Sequence, residues 1–170
     1  KHARILRDHG MNPSKRYWHD EIGGNYRMTN LQASIGITQL KKINKLLKIR
    51  KKIFQIYDKF LENKRIVPIH KIIACNFNDI SYWYYTLRIN DFDLKRRDKL
   101  INFLKHLGIE SRPMFYPLSD MPVYKNYLEG SANNSKYWSY SSISLPTFPG
   151  LKTDEIYYIS KKINLFLKQN

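Results

Sequence analysis

The strongest constraint on the fold is a helical pattern of apolar residues from position 30 to position 62. Apolar side chains recur there at spacings of three and four, as on one face of an α-helix. They are Leu31, Ile35, Leu40, Ile43, Leu47, Phe54, Tyr57 and Leu61. A helix of this length spans about 45–50 Å, which is long for a chain of 170 residues. The pattern therefore predicts a strut that joins two domains.

A tight turn precedes this helix and presents polar side chains. The Gly23-Gly24 pair allows backbone angles that other residues avoid. Thr29 has the position of a helix N-cap, and Gln32 is its reciprocal capping-box partner. Asn25 and Arg27 lie between the two signals, where an amide and a guanidinium suit a phosphate or a carboxylate. A simpler interpretation is a loop that only starts the helix.

The strongly basic charge of the chain is only weak evidence for an anionic partner. Thirty Lys and Arg against fourteen Asp and Glu give a net charge of +16. Such a balance is typical of proteins that bind nucleic acid, anionic membranes or acidic ligands. The basic residues are spread along the chain, so a solvated basic surface is favoured over binding of anionic small molecules, and nucleic acid is the least favoured partner.

Several classes of protein are not indicated by the sequence. Cys75 is alone, so there is no disulfide framework and no cysteine metal cluster. No apolar run approaches the length of a membrane span, and no signal peptide is visible, so we expect a cytoplasmic protein. Residues 1–9 have the pattern of the end of a helix, and the first residue is Lys1. We therefore expect that the chain belongs to a longer protein.

The loop over residues 11–28 is the main candidate for a functional segment. Loops of this length inside a domain often carry function. Tyr17 and Trp18 lie beside cations and could stack on a flat ring, or they could simply anchor the loop to the core. His19 next to Asp20 suggests an acid–base pair, although sequence neighbours are weak evidence for one.

The rest of the chain predicts a small α/β sandwich with a short antiparallel or mixed sheet. We expect short strands at 67–69 and 72–74, a turn at 76–79, and a strand at 81–90 with Trp83 on its apolar face. A helix capped by Asp93 should reach about Leu107, followed by a strand from Ile109 to Arg112. Pro113 and Pro117 bracket an extended segment that should not continue a sheet. A brief extended piece at 143–146 and a final helix from Thr153 complete the pattern.

Motifs of other enzyme classes are absent from these residues. There is no glycine-rich dinucleotide or Walker fingerprint, no HExxH, no CxxC and no G-x-S-x-G elbow. The histidines have no metal-ligand spacing, so no metal site is predicted. The residues by themselves therefore indicate an anion-binding loop on an α/β unit without naming a reaction.

Three motifs resemble the DegT/DnrJ/StrS family of sugar-nucleotide aminotransferases, in its perosamine-synthase-like branch. The first runs from His9-Gly10-Met11-Asn12-Pro13 through Arg16-Tyr17-Trp18-His19 to Gly23-Gly24-Asn25-Tyr26-Arg27-Met28-Thr29-Asn30-Leu31-Gln32-Ala33. The second is Gly108-Ile109-Glu110-Ser111-Arg112-Pro113-Met114-Phe115-Tyr116-Pro117-Leu118-Ser119. The third is Ser144-Leu145-Pro146 before a final helix. Together they cover nearly the whole chain in the family's order.

The resemblance implies a pyridoxal-phosphate enzyme that moves the amino group of glutamate to a nucleotide-linked 4-keto-6-deoxyhexose. It implies the C-terminal portion of an aspartate-aminotransferase-type fold (fold type I). Residues 1–28 would be the tail of the large cofactor domain and an active-site loop, 29–64 a linking helix, and 65–170 a small α/β domain with a mainly antiparallel sheet. The family works as a homodimer with its active site at the subunit interface.

The resemblance also assigns roles to single residues. Asn25 matches the asparagine that reaches the cofactor phosphate of the neighbouring subunit. Arg27 is the second candidate for cofactor binding, as a partner for a carboxylate or phosphate. The candidate contacts to the sugar nucleotide are Tyr17, Trp18, Arg112 and Tyr116. The lysine that the cofactor binds covalently is expected upstream of Lys1, so no catalytic residue is assigned here. The chain alone is therefore expected to be inactive.

Three alternatives stay open at this point. The chain could be a non-catalytic module for subunit contact or sugar-nucleotide binding. It could be a basic nucleic-acid-binding domain built on the lysine-rich helix. It could also belong to a sugar dehydratase of the same fold, in which histidine replaces the upstream lysine.

Overall fold

Helix α2 (Asn30–Phe60) confirms the predicted long helix, and it ends two residues early. The computed structural model describes residues 1–73, 80–127 and 132–169. The chain forms two compact units, Lys1–Asn44 and Lys45–Asn170, and α2 contributes to both. The functional division at residues 28 and 64 stays a prediction.

The start of α2 is a reciprocal capping box, as the sequence predicts. The backbone N–H of Thr29 donates to Gln32 Oε1 at 2.9 Å, and the N–H of Gln32 donates to Thr29 Oγ1 at 3.2 Å. The two side chains therefore satisfy backbone donors that a helix start leaves without partners.

We expect Thr29→Ala to lower the free energy of unfolding by about 1 kcal/mol, because it removes the acceptor at this helix start. Thr38→Ala is the matched control, since Thr38 is exposed on the same helix and its hydroxyl only donates to the Ser34 carbonyl. Urea unfolding of both variants measures the difference. Equal losses for the two would show that the cap contributes nothing specific.

The remaining helices and strands follow in chain order. They are α1 (His2–Arg7), β1 (Ile66–Pro68), α3 (Ile69–Ile73), β2 (Tyr85–Ile89), α4 (Leu94–His106), β3 (Arg112–Pro113), two 3₁₀ helices (Leu118–Asp120 and Pro122–Tyr127), α5 (Asn133–Ser141), β4 (Ser142–Leu145) and α6 (Thr153–Gln169).

The C-terminal unit is built on a four-stranded antiparallel sheet of order β1-β2-β4-β3. In the central pair, Tyr85 lies opposite Leu145 and Leu87 lies opposite Ile143. These side chains are all buried on one face, because side chains alternate between the faces of a strand. They join the apolar sides of α2, α4 and α6 in a single core.

The prediction of a strand over 72–74 is wrong for residues 72 and 73, which lie in α3. Strand β1 ends at Pro68, and the following helical turn brings His70 to Asp58, with 3.2 Å between Nε2 and Oδ2. Ala74 and the turn predicted at 76–79 lie outside the described residues, as does Cys75.

The strand predicted at 81–90 forms only from Tyr85 to Ile89. Tyr82 has a positive φ of 50°, which is not a strand conformation. The carbonyl of Trp83 accepts hydrogen bonds from the side chains of Arg50 and Thr147, and not from the backbone of a neighbouring strand. Trp83 is consequently 58% exposed, so its predicted place on the apolar face is wrong.

Helix α4 is capped by Asp93, whose side chain accepts a hydrogen bond from the backbone N–H of Arg96, as predicted.

The strand predicted at 109–112 is wrong in its position, because pairing begins only at Arg112 and includes Pro113. Pro113 is tolerated there because β3 is an edge strand, where proline's missing N–H does not interrupt the sheet. Among the described residues, no helix is long and apolar enough to cross a membrane.

Candidate functional site

Backbone hydrogen bonds fasten the Gly23-Gly24-Asn25 turn to the end of α1. The N–H of Gly24 donates to the Leu6 carbonyl at 3.0 Å, and the N–H of Tyr26 donates to the Arg7 carbonyl at 2.9 Å. In return, the N–H of His9 donates to the Gly24 carbonyl at 3.1 Å. The turn is therefore held from both sides, and Asn25 lies between these bonds in an antiparallel bridge with Asp8.

Two glycines make this close approach feasible. Gly10 has a φ of +65°, and a Cβ added there would lie 2.0 Å from the carbonyl oxygen of Glu21. A Cβ at Gly23 would lie 2.3 Å from the backbone nitrogen of Gly10. Real side chains cannot be accommodated at such distances from backbone atoms, so both positions require glycine in this conformation.

Asn25 presents an amide that suits a phosphate. Its Oδ1 accepts the backbone N–H of Arg27 at 3.3 Å, which orients the side chain. Within the described residues, Nδ2 of Asn25 has no hydrogen-bond partner, and the residue is exposed. Two N–H bonds are therefore free to donate to a phosphate oxygen.

Arg27 is already paired within the same unit. Its guanidinium donates to Asp8, and this hydrogen bond is the main reason that the pKa of the Asp8 carboxyl lies below its ordinary value. Asp8 therefore stays ionised and holds Arg27 at the end of α1. The remaining donors of Arg27 can still meet an anion.

A cationic cleft of about 950 Å³ adjoins this pair. Tyr17 and Arg27 both line the cleft, whereas Trp18 and Asn25 do not. Five cationic side chains line it against the single carboxylate of Asp8, namely Lys1, Arg4, Arg7, Arg16 and Arg27. Because Asp8 is already neutralised by Arg27, the cleft keeps a net positive charge that suits a polyanion such as a diphosphate.

The two loop aromatics have different surroundings. Tyr17 is 74% exposed, adopts a positive φ of 63°, and has the Arg16 guanidinium 4.9 Å from its ring centre. The Lys15 ammonium lies 3.6 Å from the centre of the Trp18 ring, and the Trp18 indole donates to Asp20. Each ring thus has a cation near it, and Tyr17 is the freer of the two because Trp18 is only 52% exposed.

The suggested acid–base pair of His19 and Asp20 does not form. Nδ1 of His19 lies 2.9 Å from the His9 carbonyl oxygen. Asp20 instead accepts from the Asn12 side chain at 2.6 Å and from Trp18 at 2.9 Å. Both residues therefore fasten the loop to itself.

Arg112 and Tyr116 belong to the C-terminal unit and have separate surroundings. Arg112 is exposed, donates to Glu110 at 2.7 Å, and lines a cleft of about 700 Å³ that also contains Arg50, Trp83 and Tyr84. Tyr116 is 45% exposed and does not line that cleft. Its hydroxyl accepts a hydrogen bond from Arg97.

The sequence does not identify several residues that line these clefts, nor the burial of Arg97, which lines neither. Arg4 and Arg7 are cations near the end of a helix, where such residues are common, so the sequence does not mark them as part of a binding site. Arg50 lies among the lysines of α2, and its spacing in the sequence does not distinguish it from these solvated side chains. Arg97 is fully buried, although the run Arg96-Arg97 is typical of a helix surface.

The chain is similar to known aminotransferases over nearly its whole length. It matches the DegT/DnrJ/EryC1/StrS aminotransferase family over residues 1–164. It is 38% identical over 152 residues to a GDP-perosamine synthase of Vibrio cholerae, which covers 89% of this chain and 41% of the relative.

Solved structures agree with this similarity. The PLP form of Spr1654, a candidate sugar aminotransferase from Streptococcus pneumoniae, superposes with a TM-score of 0.84 at 28% identity, covering 98% of this chain and 42% of that one. A form of Spr1654 with PMP, the aminated cofactor, is similar as well. PseC of Helicobacter pylori, an aminotransferase of pseudoaminic acid biosynthesis, gives 0.84 at 20% identity over 98% of this chain and 45% of PseC, and shows the fold alone.

These findings confirm the fold class and the cofactor class expected from the sequence. The chain spans about two fifths of the relatives it matches, and its antiparallel sheet with flanking helices is a portion of the fold type I architecture. We conclude that this chain belongs to the DegT/DnrJ/EryC1/StrS family of pyridoxal-phosphate-dependent aminotransferases.

Proposed function

We propose that the chain is the C-terminal part of an aminotransferase that moves the amino group of glutamate to a nucleotide-linked 4-keto-6-deoxyhexose. The observation that carries the proposal is the Asn25 turn beside a cleft of five cationic side chains. The names of the relatives support the substrate class, since several are GDP-perosamine synthases.

The donor set of the Asn25 turn fits the phosphate of pyridoxal phosphate. The free Nδ2 of Asn25 supplies two neutral donors, and Arg27, although paired with Asp8, has further N–H donors nearby. The capping box fixes the turn against α2, so these donors need little reorganisation on binding. The bound cofactor would supply the electron sink that amino-group transfer requires.

The cationic cleft supports binding of the nucleotide diphosphate. Arg4, Arg7 and Arg16 can donate to phosphate oxygens in forked pairs, which is the geometry guanidinium groups favour. Tyr17 lies in the same cleft and offers an exposed ring for stacking on a sugar or base. Trp18, Arg112 and Tyr116 remain weaker proposed contacts to the same substrate.

We further propose that the lysine to which the cofactor binds covalently precedes Lys1, as the family resemblance implies. Residues 1–170 would then need a cofactor domain in order to turn over. The coding sequence before Lys1 is expected to carry that lysine shortly before the His9-Gly10-Met11 motif. A histidine there would favour the dehydratase alternative.

A homodimer with shared active sites is also part of the proposal. Several apolar side chains on the first half of α2 are strongly exposed, including Leu31 at 74%, Leu40 at 70% and Ile35 at 57%. Exposed apolar groups in such a row are typical of a surface that a further domain or subunit covers. Light scattering on the complete protein measures the oligomeric state.

Asn25→Ala is expected to weaken pyridoxal phosphate binding about tenfold, because two donors to the phosphate are lost. Asn25→Asp should weaken it further, since it places a negative charge beside the phosphate. Absorbance titration of the protein together with its cofactor domain measures both, and competition by inorganic phosphate gives a readout independent of turnover. Asn44→Ala is the control, because Asn44 is exposed on α2 outside the turn.

Cofactor affinity unchanged in both Asn25 variants would remove this residue from the site. It would leave the family membership intact, because that rests on the whole-chain similarity.

A further inference from the structure

Arg97 is a charged side chain that is completely enclosed. Its side chain has no exposed surface, although it lies on α4 between the exposed Arg96 and the half-buried Asp98. A buried guanidinium is unfavourable unless its N–H groups are all directed to acceptors. Its partners therefore show how the buried charge is compensated.

Three nitrogen atoms of Arg97 donate to groups on three different segments. Nε and Nη2 donate to Asp98 Oδ1 at 2.9 Å and 2.8 Å, and Nη1 donates to the Ser139 carbonyl of α5 at 2.9 Å. Nη2 also donates to the Tyr116 hydroxyl at 3.0 Å. The guanidinium carbon lies 5.3 Å from the centre of the Tyr116 ring. The side chain thus joins α4, α5 and the segment after β3.

This contact sets the direction in which the Tyr116 hydroxyl can act. Arginine has no acceptor, so the Tyr116 oxygen must accept from Arg97 and its own proton must point elsewhere. Among the described residues, Arg97 is the only hydrogen-bond partner of that oxygen, and Tyr116 is 45% exposed. A hydroxyl that accepts from a cation is a stronger donor to the next group.

We propose that Arg97 is a positioning residue that fixes the phenol of Tyr116 as a donor to an oxygen of the nucleotide sugar, either a phosphate oxygen or the keto oxygen. The inference rests on the proposed function, because it assigns Tyr116 to that substrate. Arg97 itself does not touch the substrate. Its Nη2 holds the phenol oxygen, while the fork of Nε and Nη2 on Asp98 keeps the buried charge compensated.

The test compares Arg97→Lys, Tyr116→Phe and the double variant in the protein together with its cofactor domain. Lysine keeps the positive charge beside Asp98, so the fold should survive. Lysine cannot make the fork, so the hold on Tyr116 should be lost. Calorimetry measures nucleotide-sugar affinity, and the absorbance change of the cofactor on adding glutamate measures the amino-donor step. Arg96→Lys is the matched control, because Arg96 is half-exposed on the same helix and contacts Asp91.

Each single variant should weaken nucleotide-sugar binding about tenfold, and the double variant should be no weaker than either single variant within about twofold. The amino-donor step and the control should be unchanged. Multiplied losses of about a hundredfold in the double variant, or equal losses in the glutamate step, would overturn the proposal. Unchanged nucleotide-sugar affinity in Tyr116→Phe would also overturn it, even if Arg97→Lys failed to fold.

Failure of the proposed function would give a different result. The unaltered protein would then bind no nucleotide sugar. A double-variant cycle in urea unfolding would still report whether Arg97 and Tyr116 are coupled. Coupling in unfolding without any effect on nucleotide-sugar affinity would assign Arg97 a structural role alone and overturn the positioning role.

Discussion

Replacing Gly10 with alanine is expected to open the turn that carries Asn25 and to weaken cofactor binding by about a hundredfold or more. Alanine at a φ of +65° costs about 1–2 kcal/mol. The added Cβ would also lie 2.0 Å from the Glu21 carbonyl oxygen, so the backbone must move. Together these effects should exceed about 3 kcal/mol for the native loop conformation.

Hydrogen exchange gives the most direct readout of that opening. The amides of Gly24 and Tyr26 donate to the end of α1, and both should exchange faster in Gly10→Ala. The amides of β2 and β4, in the other unit, should keep their exchange rates.

Gly36→Ala is the matched control for this substitution. Gly36 lies within α2 and has nothing within 4 Å of an added Cβ. Alanine should therefore stabilise the helix by up to about 1 kcal/mol, because it has the higher helix propensity. Unchanged exchange at Gly24 and Tyr26 in Gly10→Ala would show that the glycine is not needed for the turn.

The second large effect is expected at Asp58, which joins α2, β2 and α3. Its Oδ1 accepts from the Tyr85 hydroxyl at 2.8 Å, its Oδ2 lies 3.2 Å from Nε2 of His70, and Lys71 lies 3.5 Å from Oδ1. We expect Asp58→Ala to lower the free energy of unfolding by about 2–3 kcal/mol, since it leaves a buried tyrosine hydroxyl without its acceptor. Glu62→Ala, at an exposed position just after the same helix, should change it by less than about 0.5 kcal/mol.

The effect of Asp58 should depend on pH in a defined direction. Partial burial alone would raise the pKa of Asp58, but hydrogen bonds from His70 and Tyr85, with the charges of His70 and Lys71, outweigh it and hold the pKa below 3.8. A lowered pKa in the folded state means that the stabilisation is fully present above the ordinary value and is lost as the pH falls through the folded value.

Urea unfolding at a series of pH values tests this dependence. The difference between wild type and Asp58→Ala should shrink as the pH falls below about 4, because the carboxylate is then progressively protonated in the folded state as well. The same difference at all pH values would show that the cluster is not held by the ionised carboxylate. Tyr85→Phe in the Asp58→Ala background should recover part of the loss, because the orphaned hydroxyl is removed.

Elements with strong local signals could be predicted from the sequence. The capping residues of α2 and α4 act on their own backbone, so Thr29, Gln32 and Asp93 appear in the structure as the sequence indicates. The family motifs similarly predicted the fold class without any knowledge of contacts.

Features that depend on distant partners could not be predicted. Residues 82–84 are aromatic and favour a strand. In the structure, β4 offers no pairing partner beyond Leu145, so β2 begins only at Tyr85. Residues 72 and 73 are β-branched, as is typical of strands, but they lie in a helical turn whose His70 contacts the distant Asp58.

The candidate site shows the same division. Asn25 and Arg27 were found from a turn and a cap that are local in sequence. The pairing of Arg27 with Asp8 joins residues 19 positions apart, so no periodicity predicts it.

Arg97 lies at helical spacing from Leu100 and Leu104 and shares the buried face of α4 with them. The acceptors that satisfy its charge, the Tyr116 hydroxyl and the Ser139 carbonyl, lie 19 and 42 positions away and could not be predicted.

The central claim is tested most directly by amino-group transfer from isotopically labelled glutamate to GDP-, dTDP- and UDP-linked 4-keto-6-deoxyhexoses, followed by mass spectrometry. Residues 1–170 together with their cofactor domain and pyridoxal phosphate should place the label on at least one of the three sugars, and residues 1–170 alone on none. A complete protein that holds the cofactor but labels no sugar would contradict the proposed function. Transfer by the 170-residue chain alone would contradict the assignment of the essential lysine to a position before Lys1.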